Sequence, residues 1–399
     1  MTATDLERFL TQVSDVHSVR RERILNLRAA NETMTSRERA EKAIRHEEPD
    51  RIPIDIWVTP EIRRRMMDYW GFDEWEDCLQ FLGVDFRYWR GSSYVGRRLR
   101  TLEDGSVEDL WGVHRRVVQY GEGEWYGGSY EQVTCSPLAT ARTVEDIRRY
   151  PHWPSADWWA YDGVPEQIKA LRERAGDVFI WNGGDRLDRT AQLKPMMYLR
   201  GVEQAYTDLA MNPEIVEAIV GHIDEYFSEY NRRTFEASKG LIEGFFCGDD
   251  MGLQEGAMMS IEMYRRYFKD HFANTIALAH DYGLPVMYHT CGSVYQLIPE
   301  WIDVNLDILQ SLQPQARDMD ICGLKREFGH DLAFQGGGDI QQVLPRGSPT
   351  DVRNMVRRLA GCGAPGGGYV FGTAHNIQPD TPIENVVALF EAYHEFGRY

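Results

Sequence analysis

The chain has 399 residues, of which 43% are hydrophobic, and its formal net charge is −18 at pH 7. This length is enough for one large α/β domain or for two smaller ones. The acidic charge argues against nucleic acid and anionic membranes as main partners, because the overall field repels phosphate.

The sequence favours a cytoplasmic location. It contains no apolar run of about 18 residues, and its charged N-terminus lacks the apolar stretch of a signal peptide. The six cysteines are scattered and form no CxxC motif, which indicates reduced thiols rather than a disulfide framework. They are Cys78, Cys135, Cys247, Cys291, Cys322 and Cys362. The last two fall within predicted helices, where we expect them to pack.

Residues 1–48 are polar and are predicted to form an N-terminal helical extension, with helices at 4–30 and 36–46. The second helix begins with TSRE, a capping box that satisfies free backbone N–H groups. Next comes RIPIDIWV at 51–58, which alternates and is β-branched, so it predicts a strand. A helix at 60–70 follows it.

Residues 85–135 form a distinct region with short strand-like pieces separated by Gly and Asp turns. One of these pieces lies at 97–102, and the region is rich in Trp and Tyr. Such spacing is typical of hairpins. We expect a β-rich aromatic insertion or lid, whose aromatic side chains either pack its hairpins or contact a ligand.

Strands and helices alternate over the rest of the chain. The predicted strands are 178–181, 240–247, 284–288, 308–312, 332–335 and 369–372. The predicted helices are 164–175, 195–211 in one or two pieces, 213–238, 260–282, 295–302, 319–328, 350–361 and 383–396. Such alternation implies parallel strands with helical crossovers.

With the strand at 51–58 and one near Asp85, the count reaches about eight strands, which predicts a (β/α)8 TIM barrel. The barrel would occupy residues 49–399 as a single domain. An open doubly wound sheet is the alternative. No GxGxxG motif follows a first strand, so a dinucleotide-binding fold is poorly supported.

Polar and metal-ligating residues recur where these strands stop, and in a TIM barrel the active site lies at those strand ends. They are Asn182, Asp185, Arg186, Cys247, Asp249, Asp250, His289, Cys291, Asp339 and His375. Asp and Asn also form turns and helix caps, so several of them have a purely structural explanation. Substrate contacts are expected from Trp57, Asn182, Asp185 and Asp339.

The strongest local signal is HTC at 289–291, because residues two apart in an extended segment project to the same side. Imidazole and thiolate are ligands that zinc prefers, and three protein ligands with one open position are typical of catalytic zinc. His289, Cys291 and His375 would be those three. The fourth position would be taken by Cys247, Asp249, Asp250 or a substrate atom.

Two alternatives to zinc stay open. Iron(II) held by two histidines and a carboxylate would need Asp249 or Asp250 in place of Cys291. A buried cysteine beside a hydrogen-bonded histidine, with no metal, is the other. A zinc ion would either activate water or act as a Lewis acid toward the substrate. No GxSxG or Ser-His-Asp arrangement is visible.

Six stretches together resemble the uroporphyrinogen decarboxylase superfamily. They are residues 35–53, 137–150, 248–264, 289–298, 336–347 and 375–385. The resemblance implies a (β/α)8 barrel. The arginine-rich motif by which the decarboxylases hold porphyrin carboxylates is missing, since residues 57–65 are WVTPEIRRR. The chain therefore resembles the corrinoid-linked methyltransferase branch more closely.

Those methyltransferases hold zinc with an HxC motif, here His289 and Cys291, and a later cysteine. Aligned on IQPDTP at 377–382, that cysteine position is occupied by His375. The resemblance implies methyl transfer between a small methylated molecule, such as an aromatic methyl ether, and a corrinoid (cobalamin) carried by a partner protein. It also implies that Asp249, Asp250 or Tyr288 orients the substrate of such an O-demethylase.

Three other functions compete with this one. A zinc-dependent lyase or hydrolase of the same barrel would act without corrinoid, and a decarboxylase would retain the chemistry of the parent family. A small-molecule binding protein is the non-catalytic option. We expect no nucleic-acid or membrane partner, and a homodimer is compatible with the sequence.

Overall fold

The computed structural model describes residues 15–120, 128–183 and 189–399. Asp185 and Arg186, and the first part of the predicted helix at 4–30, lie outside these residues. The strands are β1 (Phe86–Trp89), β2 (Ser93–Tyr94), β3 (Val107–Glu108), β4 (His114–Tyr120), β5 (Gly128–Cys135), β6 (Trp159–Ala160), β7 (Phe179–Asn182), β8 (Gly244–Gly248), β9 (Val286–His289), β10 (Ile308–Leu312), β11 (Ala333–Gly338) and β12 (Tyr369–Thr373).

Most helices fall close to their predicted positions, whereas Trp75–Leu82 and Val343–Arg346 were not predicted. The helices are Asp15–Asn31, Ser36–Ile44, Pro60–Trp70, Trp75–Leu82, Val144–Arg148, Val164–Ala175, Leu193–Arg200, Val202–Met211, Pro213–Ser238, Ile261–Tyr264, Asp270–Asp281, Ile298–Asp303, Ile321–Phe328, Val343–Arg346, Pro349–Gly363 and Ile383–Phe396, with single 3₁₀ turns at Ala156–Trp158 and Tyr295–Leu297. In the described ranges, none of them is long and apolar enough to cross a membrane.

The protein is a (β/α)8 barrel, as the alternation predicted. Seven strands form one parallel sheet in the order β1-β7-β8-β9-β10-β11-β12. Residues 51–58 take the eighth position, because Asp55 N–H donates to the Phe371 carbonyl at 2.9 Å and Asp85 N–H donates to the Ile54 carbonyl at 3.0 Å. The segment therefore joins β12 to the beginning of β1 and closes the sheet.

Two predicted strands are not regular strands. Residues 51–58 pair only through isolated bridges, at Arg51, Ile54 and Val58. Pro53 lies among these bridges and has no N–H to donate to a continuous ladder. Residues 97–102 contribute only a single bridge, from Thr101 to Val107. The long predicted helix at 260–282 is also interrupted, by a π-helical turn at Arg265–Lys269.

Apolar side chains fill the inside of the barrel, and the helix Ser36–Ile44 closes its N-terminal end. This interior cluster comprises Ala40, Ile44, Phe86, Phe179, Trp181, Phe246, Met287, Ile308, Ala333 and Val370. Ala40 and Ile44 come from the helix, and the other eight come from the seven strands of the sheet. This helix does not cover the C-terminal end of the barrel, where a functional site can form.

Buried ion pairs attach the N-terminal helices to the barrel. Asp85, which is fully buried, accepts hydrogen bonds from Arg39 and Arg51, each at 2.7 Å. Arg39 also binds Asp50 at 2.6 Å, and Arg51 binds Glu32 at 3.1 Å. Removing one member of such a network leaves an uncompensated buried charge, which destabilises the fold. These ion pairs therefore anchor the N-terminal helices to the barrel.

The insertion is β-rich, as expected. Strands β3, β4 and β5 form an antiparallel sheet, and β2 pairs with β6. The insertion begins directly after Trp89, the last residue of β1. Because the barrel strands are parallel, the insertion leaves the barrel at the same end as the other strand termini.

The expectation of six reduced cysteines is wrong for two of them. Cys322 and Cys362 form a disulfide, with their Cα atoms 5.0 Å apart. It joins the helices Ile321–Phe328 and Pro349–Gly363, which pack against each other although the two cysteines are 40 residues apart in sequence. Cysteine spacing along the chain does not show this side-by-side arrangement of helices. The other described cysteines are free.

Candidate active site

Three potential metal ligands meet at the C-terminal end of the barrel. His289 is the last residue of β9, Cys291 follows two residues later, and His375 follows β12. One ligand atom from each lies within 4.8 Å of the others. The Cys291 Sγ is 3.6 Å from the His289 Nε2. The ends of β9 and β12, which β10 and β11 separate in the sheet, thus supply the nitrogen and sulfur donors that zinc favours.

Two contacts fix the ring of His289. Its Nδ1 hydrogen-bonds to the Gln310 side-chain oxygen on the adjacent strand β10. Trp57 stacks on the ring, with centroids 5.6 Å apart and an interplanar angle of 18°. Because Gln310 accepts the Nδ1 proton, the lone pair of Nε2 faces the cluster. Metal-binding histidines are commonly oriented by an acceptor of this kind.

Burial, with a smaller contribution from nearby charges, keeps His289 and Cys291 neutral when no cation is bound. Burial, followed by the nearby Arg189 charge, holds the pKa of His289 well below the ordinary histidine range. Burial, together with the Asp250 carboxylate, raises the pKa of Cys291 to about 12. A neutral imidazole is ready to bind a metal, whereas the thiol needs a cation to stabilise its thiolate.

The ring of His375 is less well oriented for metal binding than the ring of His289. The Asn376 N–H donates to its Nδ1 at 2.8 Å, so the proton of the neutral ring is on Nε2. The ring has to turn or release this amide before it binds a metal. The donor set as a whole still fits zinc, because its three ligand atoms, two nitrogens and one sulfur, are already gathered.

Asp250 supplies a charged oxygen beside the cluster. Its Oδ2 accepts a hydrogen bond from the Lys194 ammonium. Its Oδ1 is buried, lies 3.8 Å from the His289 Nε2, and has no hydrogen-bond partner among the described residues. Burial alone would raise the pKa of Asp250, but the Lys194 ammonium holds it at about 2. An ionised carboxylate with one free oxygen therefore borders the three potential ligands.

Other candidate residues lie on the opposite side of the sheet. Cys247 and Tyr288 are paired neighbours on β8 and β9, and they belong to the apolar core between the sheet and the surrounding helices. The adjacent pair, Phe246 and Met287, faces the barrel interior. Strand alternation thus directs Cys247 away from the cluster.

Asp249 also has a structural role in this arrangement. It is fully buried, and its carboxylate accepts the backbone N–H groups of Gln192, Leu193 and Lys194 at 2.6–2.7 Å. These amides form the beginning of the helix Leu193–Arg200, and such free N–H groups favour a carboxylate. Asp249 therefore fixes the position of Lys194 rather than contacting the cluster.

The remaining predicted residues are placed as follows. Trp57 lies at the cluster, whereas Asp339 accepts the N–H groups of Gln341 and Gln342, each at 2.8 Å, in a turn. Asn182 is buried at the end of β7. Asp185 lies outside the described residues.

A second polar group at the mouth was not predicted. The buried Asp55 accepts hydrogen bonds from Tyr88 at 2.5 Å, from Gln335 at 2.7 Å and from the Trp57 Nε1 at 3.1 Å. Burial raises the pKa of Asp55 despite these bonds. The signal in the sequence is a single acidic residue within the apolar RIPIDIWV segment. Asp55 holds Trp57 in the position from which it stacks on His289.

More than half of the chain matches a family model, and the match covers this site. Residues 142–396 match the model for uroporphyrinogen decarboxylase, URO-D. The chain belongs to the URO-D family. The matched range contains His289, Cys291, His375 and Asp250, whereas Asp55 and Trp57 precede it.

Relatives of this URO-D family member have two activities in their names. The uroporphyrinogen decarboxylase of Coxiella burnetii is 36% identical over 266 residues, which are 64% of this chain and 68% of that protein. The methylated-thiol–coenzyme M methyltransferase of Methanosarcina mazei is 24% identical over 206 residues, 52% of each chain. The matches to the first relatives cover about half of their length or less.

A solved structure supports the fold independently. A methyltransferase from Methanosarcina mazei superposes with a TM-score of 0.60, covering 91% of this chain and 99% of that one. The two sequences are 19% identical, so this likeness concerns the barrel alone.

Proposed function

We propose that this URO-D family member is a zinc-dependent methyltransferase that moves a methyl group between a small methylated substrate and the corrinoid of a partner protein. The observation that carries the proposal is the cluster of His289, Cys291 and His375 at the barrel mouth. Similarity to a methyltransferase of Methanosarcina mazei supports the same reaction class.

The residues of the cluster would hold one zinc ion, with His289 binding through Nε2 and Cys291 through its thiolate. Bound there, zinc would supply Lewis acidity toward the heteroatom that carries or receives the methyl group. Gln310 keeps the His289 ring in place, and Lys194 keeps Asp250 beside the cluster. The free Oδ1 of Asp250 is available to accept an O–H or N–H of the substrate.

Aromatic side chains surround the site and would hold the body of the substrate. Trp57 makes edge contacts with Phe246 and Tyr88, at centroid distances of 5.5 and 5.9 Å. Planar apolar walls of this type exclude water and orient a flat ligand. This lining is compatible with an aromatic methyl ether, the O-demethylase substrate implied by the sequence resemblance.

Decarboxylation is the second candidate because the Coxiella burnetii relative is a decarboxylase. A decarboxylase that uses no cofactor would not need the donor set of His289, Cys291 and His375. The cluster therefore favours methyl transfer.

The experiment combines the zinc-loaded protein with cob(I)alamin and a panel of methoxylated aromatics, methylated thiols and methylated amines. At least one donor should convert cob(I)alamin to methylcobalamin, releasing the demethylated heteroatom, and the change is followed by absorbance. The Cys291→Ser variant should lose at least about tenfold in rate, in line with loss of an interaction worth about 1.4 kcal/mol.

Cys135→Ser is the matched control, since Cys135 is an exposed free cysteine on β5. This variant should react like the wild type. Absence of methylcobalamin across the panel, or full activity of Cys291→Ser, would contradict the proposed function.

A further inference from the structure

Arg189 is a buried cation for which the described residues provide no counter-ion. Its exposed fraction is 5%, and its Nε is buried without a hydrogen-bond partner. Within the described part of the chain, no carboxylate lies within salt-bridge distance (4.0 Å) of its guanidinium. The guanidinium lies over the face of the Phe246 ring, with its central carbon 5.3 Å from the ring centroid.

An unpaired buried charge is unusual because it loses its hydration without gaining a partner. Two buried arginines that contact the barrel are compensated, since Arg51 binds Asp85 and Arg200 binds Asp208, each at 2.7 Å. Arg21, on the N-terminal helix Asp15–Asn31, is a second buried arginine whose guanidinium nitrogens have no hydrogen-bond partner among the described residues. Contact with an aromatic ring returns only about 0.5–2 kcal/mol. The fold therefore maintains Arg189 at a cost that a bound anion would offset.

The guanidinium is located at the barrel mouth. Phe246 faces the barrel interior and makes an edge contact with His289, at a centroid distance of 6.4 Å. The Arg189 charge also acts on His289, Cys291 and Asp250, which places it near the proposed metal ligands.

Hydrogen bonds attach the backbone that follows Arg189 to the sheet. The Thr190 carbonyl accepts the Gly248 N–H at 3.0 Å, and Asp249 accepts the three amides that start at Gln192. A cation fixed before the ligand arrives loses little conformational entropy on binding, which favours affinity.

Among the described residues, the guanidinium of Arg189 lacks a direct ion-pair partner, unlike the neighbouring Lys194 ammonium, which binds Asp250. Guanidinium is planar and matches an oxyanion through two parallel N–H donors. The aromatic faces of Phe246 and Trp57 would pack against the rest of such a ligand.

We propose that Arg189 binds a carboxylate or sulfonate group of the substrate, so that the methylated substrate is a small organic acid rather than a neutral molecule. The assignment of this anion to the methyl-bearing substrate rests on the proposed function. Binding of the anion itself is measured without methyl transfer.

The test uses pairs of ligands that differ in charge. They are 4-methoxybenzoate with 4-methoxybenzamide, and methylthioacetate with methylthioacetamide, together with 4-methoxybenzenesulfonate. Calorimetry should show that the acids bind the wild type on the order of tenfold to a hundredfold more tightly than the amides. Comparing 4-methoxybenzoate with 4-methoxybenzenesulfonate shows whether the site prefers a carboxylate or a sulfonate. Comparing the benzoate with methylthioacetate shows whether it prefers an aromatic or an aliphatic substrate.

Arg189→Met should lose this preference for acids and bind the amides as the wild type does. Arg189→Lys should retain part of it, because the charge remains but the planar fork is lost. Arg21→Met is the matched control. Arg21 is also buried and contacts an aromatic ring, that of Phe72 at 4.4 Å, but it lies outside the barrel on the helix Asp15–Asn31. This variant should keep the wild-type preference.

A second readout needs no ligand. Arg189→Met should melt at the wild-type temperature or above it, since it removes an uncompensated buried charge. Acids should raise the melting temperature of the wild type and leave that of Arg189→Met unchanged.

Equal binding of acids to wild type and Arg189→Met, or equal binding of acids and amides to the wild type, would overturn the anion site. If the acids bind through Arg189 but no donor methylates cob(I)alamin, the anion site stands and only the proposed methyl transfer fails.

Discussion

At the scale of single residues, the neighbours of His289 prepare it to bind a metal. The Gln310 oxygen accepts the Nδ1 proton and Trp57 covers one face of the ring, so Nε2 points to Cys291 and His375. Trp57 is held in turn by Asp55. Residues that orient a metal ligand in this way commonly increase the affinity for the metal as well as fixing the orientation of the ligand.

Gln310→Ala should therefore weaken zinc binding roughly tenfold to a hundredfold, since the ring of His289 loses its fixed tautomer and orientation. Competition between the metal-free protein and a chromogenic chelator measures this change. Gln310→Glu keeps a side-chain acceptor and should retain most of the affinity. If the Ala and Glu variants bind zinc equally well, Gln310 has no orienting role.

The sequence indicated which potential ligands lie together, but it did not indicate the residues that support them. His289 and Cys291 share one short motif, so local spacing was enough to place them together. Gln310, Arg189 and Asp55 come from other strands and loops, and their types are common at positions without function. Cys247 shows the limit of inference from strand ends, because its orientation depends on a register that the sequence does not specify.

At the scale of elements, the close approach of β8 and β9 shapes the site. Gly248 pairs with His289, and a Cβ atom on Gly248 would lie 2.5 Å from the His289 carbonyl oxygen and 2.6 Å from the His289 Cβ. Only glycine fits there without moving the end of β9. The absence of a side chain at this position thus contributes directly to the placement of a potential ligand.

Gly248→Ala should displace His289 and weaken zinc binding by about tenfold or more, comparable to the loss of a supporting contact. Chelator competition measures the affinity, and circular dichroism checks that the barrel is folded. Gly361→Ala is the control, because Gly361 lies in the helix Pro349–Gly363 with open space around it. That variant should gain about 0.5–1 kcal/mol of stability. Unchanged zinc affinity of Gly248→Ala would contradict the steric argument.

At the scale of the whole molecule, the two ends of the barrel are different. The helix Ser36–Ile44 and the buried ion pairs around Asp85 close one end. The other end collects His289, Cys291, His375 and Asp250. Barrel topology was predictable, because regular alternation of apolar strands and amphipathic helices persists over most of the chain. The irregular closure at 51–58 and the Cys322–Cys362 disulfide depend on contacts between distant segments, which local patterns do not encode.

The most direct test of the account is the metal content of the purified protein, measured by inductively coupled plasma mass spectrometry after dialysis. We expect roughly one zinc ion per chain in the wild type, in line with a three-ligand site. His289→Ala, Cys291→Ser and His375→Ala should each lose most of it. Cys247→Ser should retain it, because Cys247 faces the helices. A wild-type protein that binds no zinc even when zinc is supplied, or three ligand variants that bind it as the wild type does, would contradict the central claim.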